Sequence, residues 1–244
     1  EPNERSSHTT PTPRGGGVSI VIVAITISAI GYFTCWIELK LALAVCVFGG
    51  LVSVVGYIDD YRNLSSGIRF AVHLLSSISV VFMFGGLPEL PLFGHLLNLS
   101  WLGYAVGAVM LAWFLNLFNF MDGIDGIAAT EAICIFVSLA VLEWMAGTGM
   151  LHAYFLCLVA VVFGFLMWNW PPARIFMGDA GSGFLGFVLA ACGLYSALHG
   201  STTVWVFPII GGVIIVDATY TQLVRMATGQ KWSSAHCSHA YQHA

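Results

Sequence analysis

Charge is what this sequence has least of. Of its 244 residues only 8% are Asp, Glu, Lys or Arg, 58% are hydrophobic, and mean hydropathy is +0.87. A soluble domain carries about 25% charged residues. A chain this apolar cannot cover itself with polar surface, so the bilayer is its expected solvent. Eight Lys and Arg in total leave no basic tract, and no nucleic-acid partner is expected. The six cysteines form no C-x-x-C pair and no disulfide spacing. Cys35, Cys46, Cys134, Cys157 and Cys192 sit in apolar runs, whereas Cys237 is flanked by histidines. Period-2 alternation is missing, which argues against a membrane barrel. There is no cleavable signal peptide, no internal repeat and no soluble domain. The chain opens at Glu1 and closes at Ala244, each in a polar segment. We therefore expect one integral-membrane domain over 1–244, truncated at both ends.

What is present is apolar length. A spanning helix needs roughly 20 apolar residues. Eight stretches qualify: about 17–37, 40–58, 70–87, 101–120, 126–146, 151–168, 182–199 and 203–224. Backbone groups in lipid must be paired within a segment, so these runs are predicted to be helices. The fold class is all-α, a polytopic membrane bundle. Glycine is common, with 27 residues, as expected where membrane helices pack closely.

Alternating the connections between two sides sorts the charges. Arg5, Arg14, Arg62, Arg69, Arg174, Arg225 and Lys231 fall on one side, and only Lys40 on the other. A Lys/Arg bias marks the cytoplasmic side. Asp59, Asp60, Asp122, Asp125 and Asp179 fall on that same side, each at a helix end. This convergence of aspartates is the main functional clue.

Four polar segments and one glycine-rich lead-in carry the chemistry. In Gly56-Tyr-Ile-Asp59-Asp60-Tyr-Arg62, two adjacent carboxylates repel unless a cation or proton is shared. A divalent metal or a proton-transfer role would resolve this; so would a solvated helix end with Asp60 paired to Arg62. In Asn116-Leu-Phe-Asn119-Phe-Met-Asp122-Gly-Ile-Asp125-Gly126, polar groups recur at three-residue steps, so neighbours share a helix face. Asparagines inside an apolar helix are expensive without partners. Polar packing between helices is the plainer alternative, but it leaves four polar groups in series unexplained. In Asn169-Trp-Pro-Pro-Ala-Arg174-Ile-Phe-Met-Gly178-Asp179-Ala-Gly-Ser-Gly183, a glycine-rich loop opens a helix whose N–H groups can face an anion. Asp179 beside them suggests a phosphate held through Mg²⁺, a hard cation that prefers carboxylate oxygen. A flexible interhelical turn is the alternative. Thr10-Pro-Thr-Pro-Arg14-Gly-Gly-Gly17 either binds phosphate or anchors a positive loop. His236-Cys-Ser-His239-Ala-Tyr-Gln-His243 fits contact with a phosphate better than zinc; an interfacial loop is the other reading. His73, His95, His152 and His199 are given no chemistry. Glu131 and Asp217 read as helix–helix hydrogen-bonding carboxyls, with Asp217 close enough to the basic side to keep in view.

Taken in order, these segments resemble the polyprenyl-phosphate N-acetylhexosamine-1-phosphate transferases. That superfamily includes the phospho-MurNAc-pentapeptide translocase and the enzymes that start O-antigen and teichoic acid synthesis. The matching pieces are PTPRGGG at 11–17, DD at 59–60, NLFNFMDGIDG at 116–126, NWPPARIFMGDAGSG at 169–183 and HCSHAYQ at 236–242. They span nearly the whole chain, and PTPRGGG with AHCSHAYQ looks most like the O-antigen-initiating bacterial branch. The resemblance implies a ten- or eleven-helix fold with a cytoplasmic cleft in the inner membrane, so one helix before residue 1 and at least one after residue 244. By motif, Asp179 would hold Mg²⁺, with Mn²⁺ a substitute and Asn119 a second contact. Asp59 and Asp60 would sit beside the metal and the lipid phosphate, as base or electrostatic organiser. Asp125 would contact uracil, Asp122 would support the site, and Asn169, His236 and His239 would line the substrate pocket. The family's last motif often carries three clustered histidines; here it is H-x-x-H, which leaves each histidine's role open. The implied partners are a UDP-N-acetylhexosamine, a polyprenyl phosphate, membrane lipids and a second copy in a homodimer.

The implied reaction joins HexNAc-1-phosphate to undecaprenyl phosphate and releases UMP, starting a lipid-linked cell-surface polysaccharide. Two other classes compete. A transporter would place its ionisable groups near mid-membrane, whereas these gather at one side. A CDP-alcohol phosphotransferase needs a D-G-x-x-A-R run, and Asp125-Gly-Ile-Ala-Ala-Thr130 lacks the arginine.

Overall fold

The computed structural model describes residues 12–199 and 201–227. It is a helical bundle with one small hairpin. Helix α1 (Gly17–Phe33) is followed by a continuous helix over Leu39–Arg62. That helix comprises α2 (Leu39–Leu43), a π-helical segment (Ala44–Gly49) and α3 (Gly50–Arg62). Asn63, in the left-handed region at φ 48°, ends α3. Ser65 then caps α4 (Ser66–Phe84), its hydroxyl accepting from Ile68 N–H at 3.4 Å. A hairpin of β1 (Leu90–Leu92) and β2 (His95–Leu97) follows, with Leu90 opposite Leu97 and Leu92 opposite His95. Next come α5 (Trp101–Met121), α6 (Ile127–Ala146), α7 (Leu151–Asn169), α8 (Asp179–Leu198), α9 (Val206–Ile210) and α10 (Gly212–Ala227).

Six helices are long and apolar enough to cross a membrane, and Gly17–Phe33 and Gly212–Thr221 are shorter apolar helices. The chain is a multi-pass membrane protein, as its composition requires. All eight predicted stretches are helical, with differences at the ends. The last is broken at Gly211, because consecutive glycines weaken the helix there. The connection predicted over 88–100 contains the hairpin. The predicted start at 182 moves back to Asp179, which places that carboxylate on the first turn of α8.

Helix α8 is the hub. Every residue from Ala180 to Ala197 is buried, wrapped by α1, α3 and α5, with α6 packed on α7 and α4 on α5. Large apolar side chains such as Phe33, Leu75, Phe82 and Met167 point outward, where lipid rather than water meets them. The approach of α3 to α8 is what positions the site. A Cβ built on Gly56 would lie 2.4 Å from the carbonyl oxygen of Asp179, so only glycine lets these backbones meet.

Candidate active site

The close packing at Gly56 delivers the last turn of α3 to the first turn of α8, and the two adjacent carboxylates are handled separately. Asp59 is 7% exposed. It accepts from Leu64 N–H at 2.5 Å and from the Arg69 guanidinium at 2.5 Å. Asp60 turns to α8 rather than to Arg62, accepting from the N–H groups of Asp179 at 3.2 Å and Ala180 at 3.3 Å. The helix dipole favours a negative charge there. The N–H groups at this helix N-terminus thus face an anion, as expected, and that anion is a protein carboxylate. Gly178 makes room for it. Its φ is +76°, and an added Cβ would lie 2.8 Å from an Asp60 carboxylate oxygen.

Arg69 links the pair to the third acid. Its guanidinium nitrogen lies 3.4 Å from Asp179 Oδ2 while holding Asp59. Asp179 is 36% exposed, so it faces the open end of the bundle while Asp59 does not. Asn119, one turn inside α5, accepts from the Ser182 hydroxyl on α8, which also bonds the Gly178 carbonyl. Asp122 ends α5, half-buried. Burial, followed by the charges of Asp179, Asp60 and Asp125, pushes its carboxyl up to about 7. The structure therefore brings Asp59, Asp60, Asn119, Asp122 and Asp179 together.

A second set of bonds ties the loops at the same end. Asp125 accepts from Ala173 N–H at 2.8 Å. Asn169 is 3% exposed. Its oxygen accepts from Gly126 N–H at 2.8 Å and its amide donates to the Ile175 carbonyl at 2.9 Å. Both ends of this amide are used inside the chain, so Asn169 joins loops 122–126 and 170–178. Residues 13–17 pair with 176–177: Phe176 N–H donates to Pro13 O at 2.9 Å, Gly16 N–H to Phe176 O at 3.0 Å and Gly17 N–H to Met177 O at 3.0 Å. Arg14 sits in this ladder with its side chain exposed. His236 and His239 lie outside the described residues.

Two features were not read from the sequence. In the sequence Arg69 reads only as a basic residue of one side, yet it is the cation between two of the acids. Its signal was its place one turn into a Ser-capped helix that follows the Asp pair closely. His73, one turn deeper and without an assigned role in the sequence, is 5% exposed and lies 3.3 Å from Asn116 Oδ1. Together Arg69, His73, Asn116 and Asn119 extend the polar site into the α4–α5 seam.

The donors on this end are oxygen atoms, the chemistry a hard cation needs. Among the described residues no three His, Cys, Asp or Glu side chains form a ready metal cage. Mg²⁺ does not require one, since it commonly takes one or two carboxylates plus substrate phosphates and water. The residues present fit that mode.

Fold and site define a multi-pass membrane protein with a cluster of acids at one end of its bundle. The chain belongs to glycosyl transferase family 4, whose family model matches residues 41–197. It is 31% identical over 249 residues to a probable undecaprenyl-phosphate N-acetylglucosaminyl 1-phosphate transferase of Bacillus subtilis (strain 168), covering 99% of this chain and 68% of that protein. It is 29% identical over 223 residues to the phospho-N-acetylmuramoyl-pentapeptide-transferase of Streptococcus suis (strain 05ZYH33), covering 87% and 66%. The corresponding protein of Geobacillus kaustophilus (strain HTA426) is 30% identical over 249 residues, covering 89% and 69%. The chain thus spans about two thirds of the length of these curated relatives.

Proposed function

We propose that this chain carries the catalytic part of a transferase that moves a HexNAc-1-phosphate from a UDP-sugar to undecaprenyl phosphate and releases UMP. The observation that carries this reading is the gathering of Asp59, Asp60, Asn119, Asp122 and Asp179 around the first turn of α8, at one end of the bundle. The names of the relatives supply the substrate classes. The product would start a lipid-linked cell-surface polysaccharide, O-antigen and hence lipopolysaccharide among them. Arg14, Arg62, Arg69 and Arg174 belong to the site end and Lys40 to the other, which favours a cytoplasmic site in the plasma membrane.

Chemistry and location agree. The UDP-sugar arrives from water, and the lipid phosphate lies at headgroup depth, so the reaction needs an interfacial cleft. An oxygen of the lipid phosphate attacks the phosphorus bearing the sugar. That phosphorus loses its bond to the bridging oxygen, and UMP leaves with the electron pair. Such transfers depend mainly on positioning and charge neutralisation. Mg²⁺, held by Asp179 with Asn119 as a further contact, would supply positive charge to the pyrophosphate oxygens. Asp60 fixes the first turn of α8 and hence the direction of Asp179. Arg69 holds Asp59 oriented beside the acceptor. Asp125 and Arg14 border the cleft where the nucleotide would enter, and Asn169 holds that border in place.

The test is UMP release by the full-length protein with undecaprenyl phosphate and UDP-GlcNAc, UDP-GalNAc or UDP-FucNAc in turn. Lipid-dependent release with one donor is expected, lost with EDTA and restored by Mg²⁺ or Mn²⁺. No release with any donor from folded protein would reject the proposal.

A further inference from the structure

A lateral groove of about 670 Å³ lies between α1 and α7, apart from the clustered acids. Its walls are Val23, Ala160, Val161, Gly164 and Phe165, and Arg174 stands among its lining residues beside Trp168. None of the five clustered site residues lines it. The groove exists because α7 presents small residues there. A Cβ added to Gly164 would meet nothing within 4 Å, so this glycine is not required by helix packing and simply leaves space. From Ala160 to Trp168 the wall runs about 12 Å along the helix, against about 15 Å for half a bilayer core. Trp168 is 59% exposed at the site end of α7, the depth at which indoles settle in a membrane interface.

Arg174 supplies the charge. Its side chain is exposed, and the described residues offer it no carboxylate within ion-pair distance. Its own N–H donates to Trp168 O at 2.9 Å, which fixes the loop over the end of α7. A cation at headgroup depth above an apolar, one-leaflet groove matches a phosphate on a hydrocarbon chain.

We infer that this groove holds one acyl chain of an anionic glycerophospholipid, with the lipid phosphate on Arg174. An anionic headgroup is favoured because a zwitterionic one carries its own ammonium to compete for the phosphate. The bound lipid is not a substrate, since none of the clustered acids lines the groove. It would brace the 170–178 loop that leads into Asp179.

The test places a photoreactive diazirine amino acid at Val23 in the full-length protein. Nanodiscs would contain phosphatidylcholine, phosphatidylglycerol and undecaprenyl phosphate, and adducts would be weighed by mass spectrometry. The expected adduct is phosphatidylglycerol, enriched over phosphatidylcholine about tenfold, the worth of one charge-assisted contact. Arg174→Gln should erase the enrichment, and Gly164→Leu should erase the adduct by filling the groove. Four results would overturn the proposal: an undecaprenyl phosphate adduct, a crosslink to another part of the same chain, a crosslinked second copy, or labelling that ignores headgroup charge. The Val23 probe with Arg174 and Gly164 intact decides all four even if a variant fails to fold.

Discussion

The two ends of this bundle are built from similar helices and treated very differently. At the site end the loops are short and cross-linked: Asp60 to α8, Asp125 to Ala173, Asn169 to both Gly126 and Ile175, and residues 13–17 to 176–177. At the far end the bonds are mostly local. Glu143 meets Thr148 five residues on, Asn98 meets Glu89 across the hairpin, and Phe93 at the hairpin tip is fully exposed. Among the described residues two long-range contacts join far-end loops: Trp205 Nε1–H to Pro91 O at 2.9 Å, and His199 to Glu38 at 3.7 Å. The difference teaches that the bilayer asks only for apolar length, whereas the concentrated polar bonding at one end serves placement of charge.

The contrast can be broken experimentally. Asp60→Ala should lower the rate of transfer by about 10²–10³-fold, because the first turn of α8 loses its anchoring carboxylate. Glu38→Ala at the far end should change it less than twofold in the same UMP-release assay. Arg69→Gln should cost about 10²-fold and Arg69→Lys about tenfold, since lysine keeps the charge but not the planar fork; equal losses would remove the two-carboxylate bridge from the account. Asn169→Ala should destabilise the protein by about 2–3 kcal/mol, as it orphans Gly126 N–H and the Ile175 carbonyl. Thermal unfolding in detergent reads this. Phe93→Ser should be the mildest, within about 0.5 kcal/mol and without effect on rate.

The apolar runs were legible because a membrane imposes a minimum length on each. Helix ends were less so. Asp179 enters α8 because Asp60, remote in sequence, caps it, and no local pattern around Asp179 records that partner. The break at Gly211 was visible as a glycine pair inside a run that otherwise read as continuous. Within the site, the aspartates were found by their side of the membrane and the asparagines by their helical spacing. Arg69 was hidden because its meaning depends on Asp179, 110 residues away. Asn169 shows the converse. Its type and place suggested a pocket wall, while its buried amide spends both ends on loop closure.

Asp179 is the pivot of the account, and a Mg²⁺ titration of lipid-dependent UMP release tests it most directly. With the full-length protein, the wild type should rise from none to saturation as Mg²⁺ is added, and Asp179→Asn should stay at least about 10³-fold lower at every concentration. An Asp179→Asn enzyme that reaches the wild-type rate, or a wild type that turns over fully in EDTA, would contradict it.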